Sequence, residues 1–386
     1  MARSFSILCV VGLSGADATR AAASTKLSAH GAAAYEDFRQ EYRAGGDAGP
    51  DHVSYATRAS LFQVRSAEIA AHNARPGVSW KKGINRFTDR TDAELRGMLG
   101  YRRVGHLKAP TGASSFLEVK PSKKALAASV DWRSKLNSSR SFVRGCGSCW
   151  AVAAVGALEM HAEAATGITK PLSFEELVDC VPNPKHCGGD GGCKGATAEL
   201  AFQYVQEHGL SAADSYKGYM SGGDGKCRVS QASSQKSTRS TGWERLPENK
   251  LDPLLEAVAN RGPVVVSVDA SGWSSYQSGV YTGCEQNATV NHAVVVVGFG
   301  TDEASGKDYW LIRNSWGEGW GEQGHIRLER HKADEGDAGY CGVDKSPLQG
   351  VGCAGGPPEI PVCGMCGVLS DSSLPTGVVI QGLASL

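Results

Sequence analysis

The sequence predicts an α+β protein in two lobes, preceded by a mostly helical N-terminal region. Three observations carry this. Residues 147 to about 210 hold helical signals, residues from about 262 onward hold strand-like runs, and the composition shifts near residue 127. Helices gathered before strands, rather than alternating with them, predict segregated layers. Cysteine marks the shift, with four between residues 146 and 187 and none between 10 and 145.

At 386 residues the chain is long enough for two or three domains and a sizeable core. Lys plus Arg and Asp plus Glu both number 40, so the net charge is zero. That balance gives no reason to expect nucleic acid or a polybasic membrane contact, and a monomer is expected. The first residues carry Arg3, an apolar run from Phe5 to Leu13 and "ADA" ending at Ala18. Residues 1–18 therefore read as a secretory signal peptide, too short in its apolar part to span a bilayer. The remaining boundaries are a helical region at 33–100, a basic, periodless linker at 101–127, and a final domain at 128–386.

In the helical region, "SYATRASLFQVRSAEIAAHNA" repeats Phe62, Ile69 and Asn73 at helical intervals, with Arg58 one turn before Phe62. "PGVSW" breaks that helix and "KKGINRFTDRTDAEL" follows. Further on, "SCWAVAAVGALEMHAEAATG" predicts a helix closing at Gly167, and "GATAELAFQYVQEHG" one closing at Gly209. "GPVVVSVDA", "HAVVVVGFG", "YWLIRNSW" and "GHIRLER" predict strands between Gly-rich turns. A cleft between the lobes is the usual place for a site.

Cys149 stands between a glycine-containing turn and an apolar helix, in that helix's first turn. There the positive helix end and unsatisfied N–H groups favour a thiolate, which is a nucleophile. A lone cysteine in an exported chain would ordinarily be half of a disulfide. The surrounding "CGSCW" reverses that expectation, because it is a local signature of a nucleophilic cysteine. His292, 143 residues on, and Asn314, 165 residues on, complete the set in order. The imidazolium of His292 holds the thiolate and protonates a leaving amine. Asn314 orients the ring, and Trp316 shields that bond from water.

These motifs resemble the papain-like cysteine proteases, specifically a cathepsin L-type zymogen. "GCGSCWA", "LSFEELVDC", "NHAVVVVGFG" and "RNSWGEGWGEQGHIRL" match in order, and "SVDWR" at 129–133 matches the mature N-terminus. Arg58, Phe62, Ile69 and Asn73 match the helical pro-segment motif, with Ser54 and Arg65 where Glu and Asn are expected. Gly83, Asn85, Phe87 and Asp89 of "GINRFTD" match the second motif. The resemblance implies a papain-like two-lobe fold with a helical left lobe and a β-barrel-like right lobe. It also implies Trp150 as a supporting residue, substrate contacts at Gly195, Ala196 and Ala293, polypeptide substrates, no cofactor and no metal. The chain's own pro-segment would act as its intramolecular inhibitor, blocking the cleft until cleaved in acid.

The resemblance further implies disulfides Cys146–Cys193, Cys180–Cys227 and Cys284–Cys341. Cys187, Cys353, Cys363 and Cys366 are additional and read as two more disulfides, with a zinc site at the Cys363-x-x-Cys366 pair as the alternative. Sequons at Asn137 and Asn287 fit an exported chain destined for a lysosome, a vacuole or the exterior.

Three departures from the family pattern stand out. Val143 occupies the position of the Gln that stabilises the oxyanion, with Arg144 beside it as a substitute donor. Loss of one such donor costs roughly 10²–10³ in rate. Ala196 replaces a glycine and keeps its backbone contacts if its φ is negative. Finally, about 25 residues lie between two versions of the closing motif, "GYCGVDKSPLQG" and "MCGVLSDSSLPTG". The floor of the S2 pocket, which holds the side chain two before the cut, is Ser346 on one alignment and Asp371 on the other. Asp371 would admit arginine there, and on that alignment Cys284 would pair with Cys366. The leading expectation is an endopeptidase; the alternative is a non-catalytic papain-fold module that binds peptides. No convincing loop for an exopeptidase is apparent.

Overall fold

The computed structural model describes residues 29–44, 53–101, 126–141, 146–216, 218, 225–228, 236–331 and 340–381. Helices α1 (Ala29–Arg43) and α2 (Tyr55–Asn73) open the chain. They meet through Tyr35, Phe38, Ala59 and Phe62, with the Phe38 and Phe62 rings 4.9 Å apart. Ser54 starts α2 by accepting the Thr57 N–H on its hydroxyl. Strand β1 (Trp80–Lys82) follows, then α3 (Asp92–Gly97), which begins in a capping box between Thr91 and Glu94.

After β2 (Val130–Asp131), the left lobe is built on α4 (Cys149–Thr166), α5 (Phe174–Cys180) and α6 (Ala198–His208). The α4 sequence is apolar almost all round, and it is buried along nearly its whole length as such a helix must be. Gly167, at φ 71°, ends it in the left-handed region that glycine tolerates. Gly209 ends α6.

Strands β3 (Thr238–Arg239) and β4 (Gly242–Arg245) lead to α7 (Leu251–Asn260) and β5 (Val264–Val268). Then come β6 (Tyr276–Tyr281), β7 (His292–Thr301), β8 (Asp308–Arg313) and β9 (His325–Glu329). The last strands are β10 (Cys341–Asp344), β11 (Ile360–Cys363), β12 (Ser372–Thr376) and β13 (Val379–Ile380). The main sheet has nine strands in the order β1-β6-β9-β8-β7-β5-β12-β4, with β2 paired to β7. All pairs are antiparallel except β6–β9. The fold is α+β as the sequence predicts, but the right lobe does not close into a barrel. Closure needs the end strands to pair. Here one end is β1, from the N-terminal region, and the other is β4.

This sheet is the wall between two cores. Alternation along β5 sends Val264, Val266 and Val268 into the right-lobe core and Val265 into the left. Along β7, Val294 and Val296 face right, while Ala293, Val295 and Val297 face left. Each buried valine contributes roughly 1.5–3 kcal/mol.

The C-terminus resolves which closing motif enters the sheet. Residues 372–376 form β12, between β5 and β4, whereas β10 and β11 pair only with each other. The expected Cys284–Cys341 bridge is therefore corrected. Cys341 lies directly opposite Cys363 in the β10–β11 ribbon and bonds to it, and Cys284 bonds Cys366. Cys146–Cys193, Cys180–Cys227 and Cys187–Cys353 complete the set. With Cys363 and Cys366 both in disulfides, the zinc alternative loses its thiolates. Among the described residues no helix is long and apolar enough to cross a membrane.

Candidate active site

Cys149 is the first residue of α4 and, among the described residues, the one cysteine outside a disulfide. Its side chain is fully buried, and Sγ accepts the Ala293 N–H at 3.3 Å. Ala293 follows His292, the first residue of β7, so sheet register delivers the imidazole and the helix terminus delivers the sulfur. His292 Nε2 donates to Asn314 Oδ1 at 2.9 Å, in a buried contact. Asn314, just past β8, is held by its own N–H to Gly324 O and by Ser141 Oγ, which donates to its carbonyl at 2.6 Å. The Trp316 indole stacks on the imidazole with centroids 5.3 Å apart and an interplanar angle of 29°. Trp150 is buried and donates to Gly192 O, bracing the loop before Cys193.

The substrate-contact candidates divide. Ala196 is buried and has no positive φ, so its backbone is unstrained by the methyl group. Gly195 has φ 98°, and its carbonyl is taken by the Gly191 N–H at 2.7 Å. Ser346 lies in the C-terminal insertion, where its N–H donates to Asp344. Asp371 is buried and accepts from Ser267 Oγ at 2.6 Å and from an Arg245 guanidinium nitrogen at 3.0 Å. Val143 and Arg144 lie outside the described residues.

The N-terminal segment runs through this site. β1 pairs with β6, Gly83 N–H donates to Ser275 O at 2.8 Å, and Asn85 Nδ2 donates to Ser274 O at 2.9 Å. Phe87 then packs edge-on against Trp316, centroids 5.5 Å apart. Asp89 is fully buried and accepts from Tyr35 Oη and Arg43. Arg58 pairs with Glu94 at 2.8 Å, and Asn73 brackets Lys82 through both its amide atoms. Phe62 and Ile69 are buried beneath these contacts.

Further along, a Cβ on Gly100 would stand 2.1 Å from Cys149 Sγ, so this backbone lies directly on the sulfur. Tyr101 follows, with its N–H on Asn291 O at 3.2 Å and its ring buried. Its Oη lies 2.9 Å from Ser267 Oγ. Burial foremost, and then the nearby Asp371 carboxylate, push the Tyr101 phenol well above its usual range. In the sequence Tyr101 falls in the expected linker at 101–127, and nothing local marks Gly100, Ser267 or Arg245 for this place. The one available signal was an aromatic closing "MLGY" just before the basic run.

The family model described as "Papain family cysteine protease" matches residues 126–351, more than half of the chain. The chain belongs to the papain family of cysteine proteases. It is 36% identical over 304 residues to Cathepsin L of Sarcophaga peregrina, covering 76% of this chain and 86% of that protein. Cysteine protease 1 of Oryza sativa subsp. japonica is 37% identical over 337 residues, 82% of this chain, and the chain spans 64% of that longer protein. Among solved structures, digestive procathepsin L 3 of Tenebrio molitor larval midgut superposes with a TM-score of 0.66 at 28% identity. That likeness covers 90% of this chain and 100% of the other, so it extends beyond the lobes of this protease into the N-terminal segment.

Proposed function

We propose that this papain-family protease is a cysteine endopeptidase made as a zymogen, cutting peptide bonds through an acyl-enzyme. The observation that carries the reading is Cys149 at the α4 terminus beside His292, whose Nε2 is committed to Asn314. Nδ1 of His292 then handles the proton. The thiolate attacks the scissile carbonyl carbon, and the backbone N–H of Cys149 supports the oxyanion. His292 Nδ1–H protonates the leaving nitrogen as the C–N bond breaks. The neutral imidazole next takes a proton from water, which attacks the thioester and releases the acid. Asn314 and Trp316 are positioning residues that keep the ring aimed.

The pro-segment is the inhibitor in this reading, with Gly100 occupying the place of the reacting group on Cys149. Mild acid in a lysosome, vacuole or secretory compartment would release it. The domain limits follow: signal 1–18, pro-domain 33–100, activation region 101–127, peptidase 128–386. Val143 favours a second reading, a papain-fold module that binds peptides with little or no turnover.

The test is turnover by acid-processed protein on fluorogenic peptides, per site titrated with an epoxysuccinyl inhibitor. Cys149→Ser should abolish turnover and leave folding intact; equal turnover in that variant sinks the mechanism. Titration with rates two to three orders below those of family members would mean a weakened oxyanion site, in line with roughly 10²–10³ per lost donor. No titration would favour the binding module.

A further inference from the structure

The pocket next to Cys149 is built around a hydroxyl. Tyr101 fills it, and its Oη meets Ser267 Oγ at 2.9 Å, both residues being almost wholly buried. Ser267 has one proton, which goes to Asp371 Oδ2 at 2.6 Å. The lone pairs of Ser267 therefore face the phenol, which must be the donor. Behind them, Arg245 pairs with Asp371 at 3.0 Å and with Glu248 at 2.9 Å. Glu199, in the first turn of α6, also feels this group; burial, and then Asp371, push its carboxyl up from the usual range.

The pocket wall is held in place. A Cβ on Gly188 would stand 2.9 Å from the Tyr101 ring, and the Gly188 N–H donates to Gly352 O in the C-terminal insertion. Cys187–Cys353 fastens the same contact, while Val351 N–H donates to Val290 O across the cleft at 2.9 Å. The insertion thus joins both sides of the pocket.

Resting on the endopeptidase reading above, we propose that this pocket selects tyrosine as the substrate side chain two before the cut. The hydroxyl donates into the Ser267–Asp371–Arg245 chain, as that of Tyr101 does. Arginine, which Asp371 alone would attract, finds that carboxylate already facing a guanidinium and is repelled by it. Phenylalanine fits the walls but leaves the Ser267 acceptor unmet.

The experiment measures kcat/KM of the acid-processed, site-titrated wild-type enzyme on peptides differing only at that residue, as Tyr, Phe or Arg. Tyrosine should exceed phenylalanine by roughly 3- to 10-fold, the range one net hydrogen bond supports, and arginine should fall below both. In Ser267→Ala the Tyr-to-Phe ratio should collapse toward one. Tyrosine at or below phenylalanine, or arginine preferred, overturns the proposal whatever the variant does. If no peptide is turned over, the endopeptidase reading fails separately. The same ratio is then read as affinities by calorimetry on Cys149→Ser processed in trans: a tyrosine preference keeps the pocket assignment, and equal affinities overturn it.

Discussion

Gly100 shows how much one missing side chain decides. Its Cα sits against Cys149, and a methyl group there would meet Sγ at 2.1 Å and Gly147 O at 2.9 Å. Neither can retreat, since the sulfur is fixed in the first turn of α4 and its surroundings are buried. Gly100→Ala should therefore lift the segment off the sulfur, at a cost of roughly 1–3 kcal/mol. The check is labelling of Cys149 by an epoxysuccinyl inhibitor in the uncut chain at neutral pH. Labelling should rise by about 5- to 150-fold in the variant; unchanged protection would mean that Gly100 does not guard the sulfur. At this scale the candidates Cys149, His292, Asn314 and Trp316 could be picked out in the sequence, because each sits in a local motif whose residue types the proposed chemistry requires. Tyr101 and Ser267 were not. A tyrosine at the edge of a linker and a serine in a valine strand carry no chemistry until the chain brings them within 2.9 Å.

Among the elements of the pro-domain, the Arg58–Glu94 ion pair ties α2 to the start of α3. Burial pushes the Glu94 carboxyl up, but hydrogen bonds from Arg58, the Thr91 N–H and Arg90 outweigh it and bring its pKa down to about 2 from 4.5. A lowered carboxylate contributes stability that is complete above 4.5 and is lost only as the pH falls toward 2. This pair therefore stays closed through mildly acidic pH, and it resists rather than triggers acid release. Arg58→Ala leaves the buried Glu94 with only Arg90 and the Thr91 N–H among the partners named above and should destabilise the pro-domain by roughly 3 kcal/mol. Its self-processing should begin at a higher pH than wild type when followed by gel against pH; an unmoved onset would dismiss the pair as a latch. The helical spacing of Arg58, Phe62, Ile69 and Asn73 was readable because it is local. The substituted positions found other work: Ser54 caps α2, and Arg65 donates to Phe87 O and pairs with Asp92.

For the molecule as a whole, α4 carries a buried carboxyl, Glu159, which accepts the Leu172 N–H at 2.8 Å. Burial pushes Glu159 up to about 7, the Arg313 charge only partly opposing it. A raised acid favours the folded state while protonated. That contribution is complete below 4.5 and is lost as the pH rises through 7. The processed protein should thus lose urea resistance between pH 5 and pH 7.5. Glu159→Gln should flatten that change by on the order of 2 kcal/mol. A variant with the same slope as wild type would locate the pH dependence elsewhere. The direction suits the acid release proposed above.

The sequence by itself determined the helices and their glycine ends, the strand runs and the segregation into lobes, and it singled out Cys149, His292 and Asn314 as the proposed catalytic trio. The elements are written in local propensity and periodicity, and the trio in three separate short motifs whose residue types the chemistry requires. Only the tertiary structure decided the rest. Cys284 and Cys366 are 82 residues apart, and their pairing followed from which closing motif took the place beside β5. Tyr101 and Ser267 are 166 apart, joined by a segment crossing the cleft. The barrel-like right lobe is an open sheet whose end strands are β1 and β4. Contacts of that kind arise from competition among distant partners for one surface, and residue type alone does not say which partner wins.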